Sequence, residues 1–409
     1  MADDAVAAPE SVGRVGLAGA VAPVRPGPSF ARGLWRIAAA DVSSGNAVRL
    51  LRDGAETFEI WRELIASARE SIAVEQYIFH GDDAGRRAVE ALGAAADRGV
   101  AVRVLVDWIG RMGTRGSLFQ GLRDRGAEVS VFSPPGFRPW GGLVPRDHRK
   151  LLVVDGAVGV TGGIGIGNEW RTGVLKRKRS PWRDTTVRIE GPAAQDMLRA
   201  FERMWTRAVG RERRGALRLM VGRRQPRITR RTHGAHLDPA TDQPSLVGIV
   251  EGEPGRQRVA RALQMQAVSA ERSIWIASAY FAPGYAEIEA LTGAARDGVD
   301  VRLLVPSRYD HPWIRLLTRQ FYRRLLANGV RIWEWAGEMM HAKMSVVDGR
   351  WIRVGSTDFN PLGITINYEL DAVIEDARVG AEAEAMFLAD LEQSREIRVA
   401  GIVTDDGTA

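Results

Sequence analysis

The 409-residue sequence predicts an α/β protein built from two copies of one unit, each a mixed but mostly parallel sheet flanked by helices on both faces. Three observations predict it. Short β-branched runs alternate with helical segments, the same segments recur roughly 200 residues later, and each series ends in a His-x-Lys-x4-Asp sequence followed by glycine.

The first strand, SIAVEQYIF (Ser71 to Phe79), returns as SIWIASAYF (Ser273 to Phe281). The segments AGRRAVEALGAAADRG and YAEIEALTGAARDG follow, with an alanine- and leucine-rich helical periodicity that stops at a glycine. The next strand, GVAVRVLVD (Gly99 to Asp107), returns as GVDVRLLVP (Gly298 to Pro306), and GAEVSVF (Gly126 to Phe132) as GVRIWEW (Gly329 to Trp335). The offsets are 202, 199 and 203 residues. Then come RDHRKLLVVDGAVGVTGG (Arg146 to Gly163) and MHAKMSVVDGRWIRVGS (Met340 to Ser356), each with Asp-Gly between two apolar runs, the strongest short hairpin signal. The two histidines lie 193 residues apart, because SPPGFRPWGGLVPRD in the first copy is longer than AGEMM in the second.

Composition bounds the function. A chain that is 45% hydrophobic and 26% charged buries a sizeable core, and it contains no run of 18 or more apolar residues. The start, MADDAVAAPE, is acidic where a secretory signal is basic, so the sequence reading is a cytoplasmic protein, peripheral at the inner face of the membrane. Zero cysteines exclude disulfides, thiolate metal sites and a cysteine nucleophile. A net charge of +7 favours an anionic partner: lipid headgroups, nucleic acid or a phosphorylated small molecule. Only four of the 57 basic residues are lysines (Lys150, Lys176, Lys178 and Lys343), and two of the four fall in the repeated motif. An ammonium at those two places, in so arginine-rich a chain, points to a site where a guanidinium would not serve.

From this composition the expected number of His-x-Lys-x4-Asp matches is roughly 0.004, so two matches are a signal. Residues i and i+2 of a strand share a face, roughly 6.6 Å apart, so His148 can converge with Lys150 on one ligand, and His341 with Lys343. Asp155 and Asp348 complete the motif, although the Asp-Gly turn already explains them as scaffold.

On these motifs, and on EQYIF, TGGIGIGNEW, SPWRDTTVRIEGPA and GSTDFNPLGITINYELD, the chain resembles the phospholipase D superfamily, most closely its bacterial cardiolipin synthase branch, over about Gly45 to Ala385. The resemblance implies two phospholipase D-type units packed about a pseudo-twofold axis, with both motifs in one cleft. One histidine attacks a phosphodiester phosphorus to give a phosphohistidine, and the other protonates the leaving oxygen; an alcohol or water then reverses the step. By position His148 is expected to be the nucleophile and His341 the acid, with Lys150 and Lys343 on the nonbridging oxygens. Glu369, 28 residues after His341, matches the family's orienting glutamate, and Asp184 is its counterpart in the first half. Ser356 and Gly163, each 15 residues after its histidine, are expected at the phosphate, Ser356 through its hydroxyl and Gly163 through its backbone. No metal and no other cofactor is implied.

The chain also departs from the family pattern. Where an asparagine usually stands 17 residues after each histidine, it carries Gly165 and Asp358, so Asn168 and Asn360 are expected to take over the donor role. Leu362 replaces an arginine. The expected division is an N-terminal tail (1–45), a first unit (46–210), an Arg-rich linker (211–245) and a second unit (246–409). The linker, RERRGALRLMVGRRQPRITRR, is read as solvated, KRKRSPW as bordering the cleft, and RLLTRQFYRRLLANG as packing on the sheet. The leading reading is a phosphatidyltransferase or phospholipase acting on anionic or zwitterionic glycerophospholipids, with peripheral membrane contact and no obligate protein partner. Two alternatives are a hydrolase or nuclease acting on nucleic-acid phosphodiesters and a non-catalytic phosphate-binding member of the fold.

Overall fold

The computed structural model describes residues 33–34, 36–133, 144–171, 180–216 and 245–398. Most of the tail, the centre of the longer connection, Lys176 and Lys178, and most of the Arg-rich linker lie outside the described residues.

The first half contributes strands β1 (Asp41–Arg52), β2 (Ser71–Gln76), β3 (Ala101–Asp107), β4 (Glu128–Phe132), β5 (Lys150–Val154), β6 (Val158–Gly162) and β7 (Thr185–Glu190). The second contributes β8 (Ser245–Gly252), β9 (Ser273–Ser278), β10 (Asp300–Pro306), β11 (Arg331–Trp335), β12 (Lys343–Val347), β13 (Trp351–Gly355), β14 (Glu369–Glu375) and β15 (Ser394–Ile397). Around them pack α1 (Asp53–Ser67), α2 (Asp83–Asp97), α3 (Gly116–Asp124), α4 (Pro192–Ala216), α5 (Arg258–Ser269), α6 (Tyr285–Arg296), α7 (Trp313–Arg319), α8 (Tyr322–Leu326) and α9 (Ala377–Glu392).

The strand order β4-β3-β2-β5-β6-β7-β1 in the first half repeats as β11-β10-β9-β12-β13-β14-β8 in the second, with β15 added at the outer edge. At the centre β1 changes partner: Asp41 to Asn46 pair with β8, and Ala47 to Arg52 with β7, both antiparallel. The two units therefore share one 15-stranded system instead of forming separate sheets.

The sheet is mixed, but less parallel than the strand–helix alternation implies. Only β2–β3–β4 and β9–β10–β11 run parallel. The other pairs are antiparallel, among them β5–β6 and β12–β13, whose Asp-Gly hairpins leave no room for a crossover. One apolar core is common to both halves: Leu151, Val187 and Phe201 from the first meet Val354, Leu370 and Phe387 from the second, beneath α4 and α9. Two further cores, around Phe79 and Leu122 and around Phe281 and Leu325, close the outer faces.

Candidate active site

Each motif histidine stands two residues ahead of its strand, β5 or β12, in an extended segment held by the opposite half. His148 N–H donates to the Tyr368 carbonyl at 2.9 Å, and His341 N–H donates to the Arg183 carbonyl at 2.7 Å. The residue after each acceptor is a carboxylate, so this backbone pairing delivers it to the other half's histidine. His148 Nδ1 lies 3.1 Å from Glu369, and His341 Nδ1 lies 2.8 Å from Asp184 Oδ2. The two histidine–carboxylate pairs are crossed between the repeats.

Both carboxylates are themselves held. Asp184 is fully buried and accepts from the Trp170 indole at 2.9 Å and the Thr185 amide at 2.8 Å. Ser356 Oγ donates to Glu369 and accepts the Leu370 amide at 3.0 Å. Arg183 is locked on Asp390 at 2.7 Å, which fixes the carbonyl that holds His341. A carboxylate on Nδ1 keeps the proton there and leaves Nε2 with its lone pair toward the cleft.

The lysines lie on the same face as their histidines, as the i, i+2 spacing requires. Lys150 Nζ donates to the His148 carbonyl at 2.6 Å, and Lys343 Nζ to the His341 carbonyl at 2.8 Å. The four groups feel one another's charge. Burial, then Lys343 and Lys150, pushes the His341 ring well below the ordinary histidine range, and burial, then Lys150, does the same to His148. Both imidazoles are thus neutral, the form that can act as a nucleophile. Burial pushes Glu369 up to about 8 against the pull of Lys150, and Asp184 up to about 6 against Lys343. Lys150 is pushed down to about 8, chiefly by burial, with Glu369 opposing.

Six expected site residues lie away from the histidines or have protein partners of their own. Asp155 and Asp348 have φ of 52° and 54°, and their carboxylates accept the amides of Arg69, Glu70 and Ser71 and of Glu271, Arg272 and Ser273 respectively. They pin each hairpin to the start of β2 or β9, at the strand end away from the histidines, which is the scaffold position the Asp-Gly turn implies for these two motif residues. Asn168 Oδ1 accepts the Ala84 amide, and Asn360 spans the Tyr280 carbonyl and the Gly363 amide. The donor of Asn360 is thus committed to the Tyr280 carbonyl, whereas at Asn168 only the carbonyl oxygen is committed. Ser356 faces Glu369 in place of a phosphate, and Gly163 donates its N–H to the Thr185 carbonyl. A Cβ on Gly163 would lie 2.1 Å from Asp184 Oδ1, so its role is to make room for that carboxylate.

The two departures have different causes. At Gly165 a Cβ would meet Ile78 Cβ at 2.9 Å and the Trp170 ring at 3.1 Å, so the tryptophan fills the space an asparagine would need. Asp358 is buried with Oδ1 3.6 Å from Lys343 Nζ; burial raises its pKa and Lys343 lowers it.

Two tyrosines belong to the site and were not assigned from sequence. The Tyr77 ring sits 4.7 Å from His148 with Lys150 Nζ 5.4 Å above it, and Tyr280 sits 5.9 Å from His341 with Lys343 Nζ 5.4 Å above it. Their signal was the tyrosine shared by EQYIF and SAYF. Trp170 and Trp182 pack at 5.5 Å and 5.6 Å from His341 only. Of cation-binding clusters among the described residues, His80, Asp82 and Glu169 place ligand atoms within 4.8 Å of one another. Asp82 is already committed to the amides of Gly85 and Asn168, and His80 to Glu169, so these side chains are explained without an ion.

Two homologous α/β repeats meeting at crossed histidine–carboxylate pairs with a lysine beside each histidine define a member of the phospholipase D superfamily. Residues 61–205 and 264–391 match the family described as cardiolipin synthase, PLD-like domain, and the chain belongs to it. It is 31% identical to cardiolipin synthase A of Pseudomonas syringae over 362 residues, covering 87% of this chain and 71% of that one. It is 32% identical to the cardiolipin synthase of Geobacillus sp. strain WCH70, covering 88% and 69%. The crystal structure of phosphatidylserine synthase from Haemophilus influenzae Rd KW20 superposes with a TM-score of 0.65 at 16% identity over 90% of this chain and 92% of that one, a likeness of fold. No helix among the described residues is long and apolar enough to cross a membrane.

Proposed function

We propose that the chain is a phosphatidyltransferase of the cardiolipin synthase type, working on glycerophospholipid phosphodiesters through a phosphohistidine. The crossed pairs carry this reading, because they hold two neutral imidazoles, each with a carboxyl group on Nδ1 and a lysine beside it. Relatives named as cardiolipin synthases over most of the chain support the lipid substrate. Units at 46–210 and 246–409, joined by the 211–245 linker, each supply one histidine, from a cytoplasmic protein in peripheral contact with the membrane.

His148 is the nucleophile: its side chain is 14% exposed against 3% for His341, and Lys343 Nζ stands 2.9 Å from His341 Nε2. Nε2 of His148 attacks phosphorus, the P–O bond to the first alcohol breaks, and His341 delivers a proton to the departing oxygen. The bound phosphodiester anion draws Lys343 onto its nonbridging oxygens and, with Asp184 behind Nδ1, supplies the negative charge that favours a proton on His341. A second alcohol then gives its proton to His341 and displaces His148.

The test is to incubate the protein and its His148→Ala variant with mixed phosphatidylglycerol and phosphatidylethanolamine vesicles and follow products by mass spectrometry. Cardiolipin formed by the wild type alone is the expected result. Phosphatidic acid alone would make the enzyme a hydrolase, and no lipid product from either protein would overturn the reading.

A further inference from the structure

The phospholipid substrate of the proposed reaction sits in a bilayer, so the end of the molecule that carries the histidines has to meet one. Strand register identifies that end. Lys150 pairs with Gln76 at the C-terminal end of β2, and Lys343 with Ser278 at the C-terminal end of β9. Because β3 and β10 run parallel to these strands, the segments leaving β3 and β10 lie at the same end.

Those two segments are symmetry-related and both expose large apolar side chains. After β3, Ile109 and Met112 are exposed, Met112 by 60%; after β10, Trp313, Leu316 and Leu317 are exposed on α7, Trp313 by 59% and Leu316 by 74%. The α7 helix reaches the site directly: Thr318 bonds the Tyr309 hydroxyl at 3.2 Å, Tyr309 packs on Tyr280, and Tyr280 packs on His341. The sequence expectation that RLLTRQFYRRLLANG packs on the sheet holds for Tyr322 and Leu325, which are buried in α8, and fails one turn earlier.

Charge at this end fits an anionic surface. Arg115, Arg315 and Arg323 are exposed on the same segments. Arg36, Arg256, Arg258 and Arg261 line a cavity of about 360 Å³ next to the turn before β14, where the Gly255 amide donates to the Thr365 carbonyl. Exposed tryptophan and leucine with arginine around them is the composition of a segment that enters the headgroup boundary of a bilayer.

We infer that the paired segments after β3 and β10 form a two-pronged docking face, with Ile109 and Met112 on one side and Trp313 and Leu316 on the other, that seats the cleft on an anionic phospholipid bilayer. This rests on the phosphatidyltransferase reading, and the experiment separates the two. Wild type and a Trp313→Ser, Leu316→Ser double variant, with an Ile109→Ser, Met112→Ser variant for the other prong, are assayed on phosphatidylglycerol vesicles and on a short-chain phosphatidylglycerol below its micelle concentration. Flotation with the same vesicles and sedimentation without lipid accompany the assays. The expected result is a roughly tenfold or greater loss of flotation and vesicle turnover in each variant, with monomeric-lipid turnover unchanged. Unchanged flotation and vesicle turnover in both variants would overturn the docking face. So would a lipid-free dimer that the substitutions dissociate, since a second copy would then be the occupant. Failure of the wild type on both substrates would overturn the reaction instead.

Discussion

The two half-sites use the same strand, the same spacing and the same lysine contact, yet they are finished differently. Around His148 stand one tyrosine and a glutamate backed by Ser356; around His341 stand Tyr280, Trp170 and Trp182, an aspartate backed by Trp170, and a second acid, Asp358, on the lysine. A repeat fixes where the reactive groups sit, and the residues packed behind them divide the labour. The more open half suits attack on phosphorus, and the enclosed half, whose burial disfavours a charged imidazole, suits a proton only once the phosphodiester anion is bound.

Substituting the histidines breaks the comparison most severely. Both His148→Ala and His341→Ala should lose roughly 10⁴-fold or more on a phospholipid, since nucleophile and acid act in one step. An activated aryl phosphodiester, whose leaving group needs no proton, separates them. His341→Ala should recover most of its activity on that substrate and release the aryl alcohol in a burst, whereas His148→Ala should stay inactive. Equal behaviour would show that the roles are not divided.

The orienting carboxylates come next. Asp184→Asn and Glu369→Gln should each lose about 10²-fold in kcat, because the wrong tautomer is then favoured at the paired histidine. Because burial raises both carboxyl groups, to about 6 for Asp184 and about 8 for Glu369, wild-type kcat/KM should climb as each ionises, freely through about 6 and, near 8, against the loss of the Lys150 proton. Each substitution should remove its own part of that climb. A profile left flat in the wild type would mean that neither proton matters.

The repeat and the motif pairs were legible in the sequence because a duplicated segment and a spacing recorded them, whereas the two carboxylates were expected only from the family resemblance. The crossing of the pairs was not, since it depends on Tyr368 and Arg183 bridging to the opposite half, a contact with no local signature. Asn360 looked like a replacement donor because sequence shows nearness along the chain and not which backbone carbonyl an amide already serves. Trp170 was visible as a residue of NEW, but its indole on Asp184 and its ring in the space beside Gly165 follow only from tertiary packing. The predominance of antiparallel pairs was obscured because strand–helix alternation reports the β2–β4 and β9–β11 regions and is silent about β1, β7, β8 and β14.

Asp155 and Asp348 sharpen the comparison by being alike. Each accepts three backbone amides at a hairpin remote from the chemistry, so Asp155→Ala and Asp348→Ala should each destabilise the fold by about 1–3 kcal/mol through unpaired donors and a strained φ. Denaturant unfolding should show both losses, while kcat of the remaining folded enzyme stays within about twofold. A large kcat loss in one variant with unchanged stability would restore a catalytic role to that aspartate.

The smallest effects test the two departures against each other. Gly165→Asn should be rejected, because a side chain there collides with Ile78 and the Trp170 ring, and overpacking of this kind costs about 1–3 kcal/mol. Asp358→Asn should be accepted, since the carboxamide is isosteric and Tyr280 N–H still finds an oxygen. Its effect is on the substrate. Removing the acid 3.6 Å from Lys343 frees that ammonium for the phosphodiester, so KM should fall by a few-fold, with kcat changing less. A KM that rises instead would mean that Asp358 holds Lys343 in the position catalysis needs, and that the acid steadies the lysine instead of competing for it.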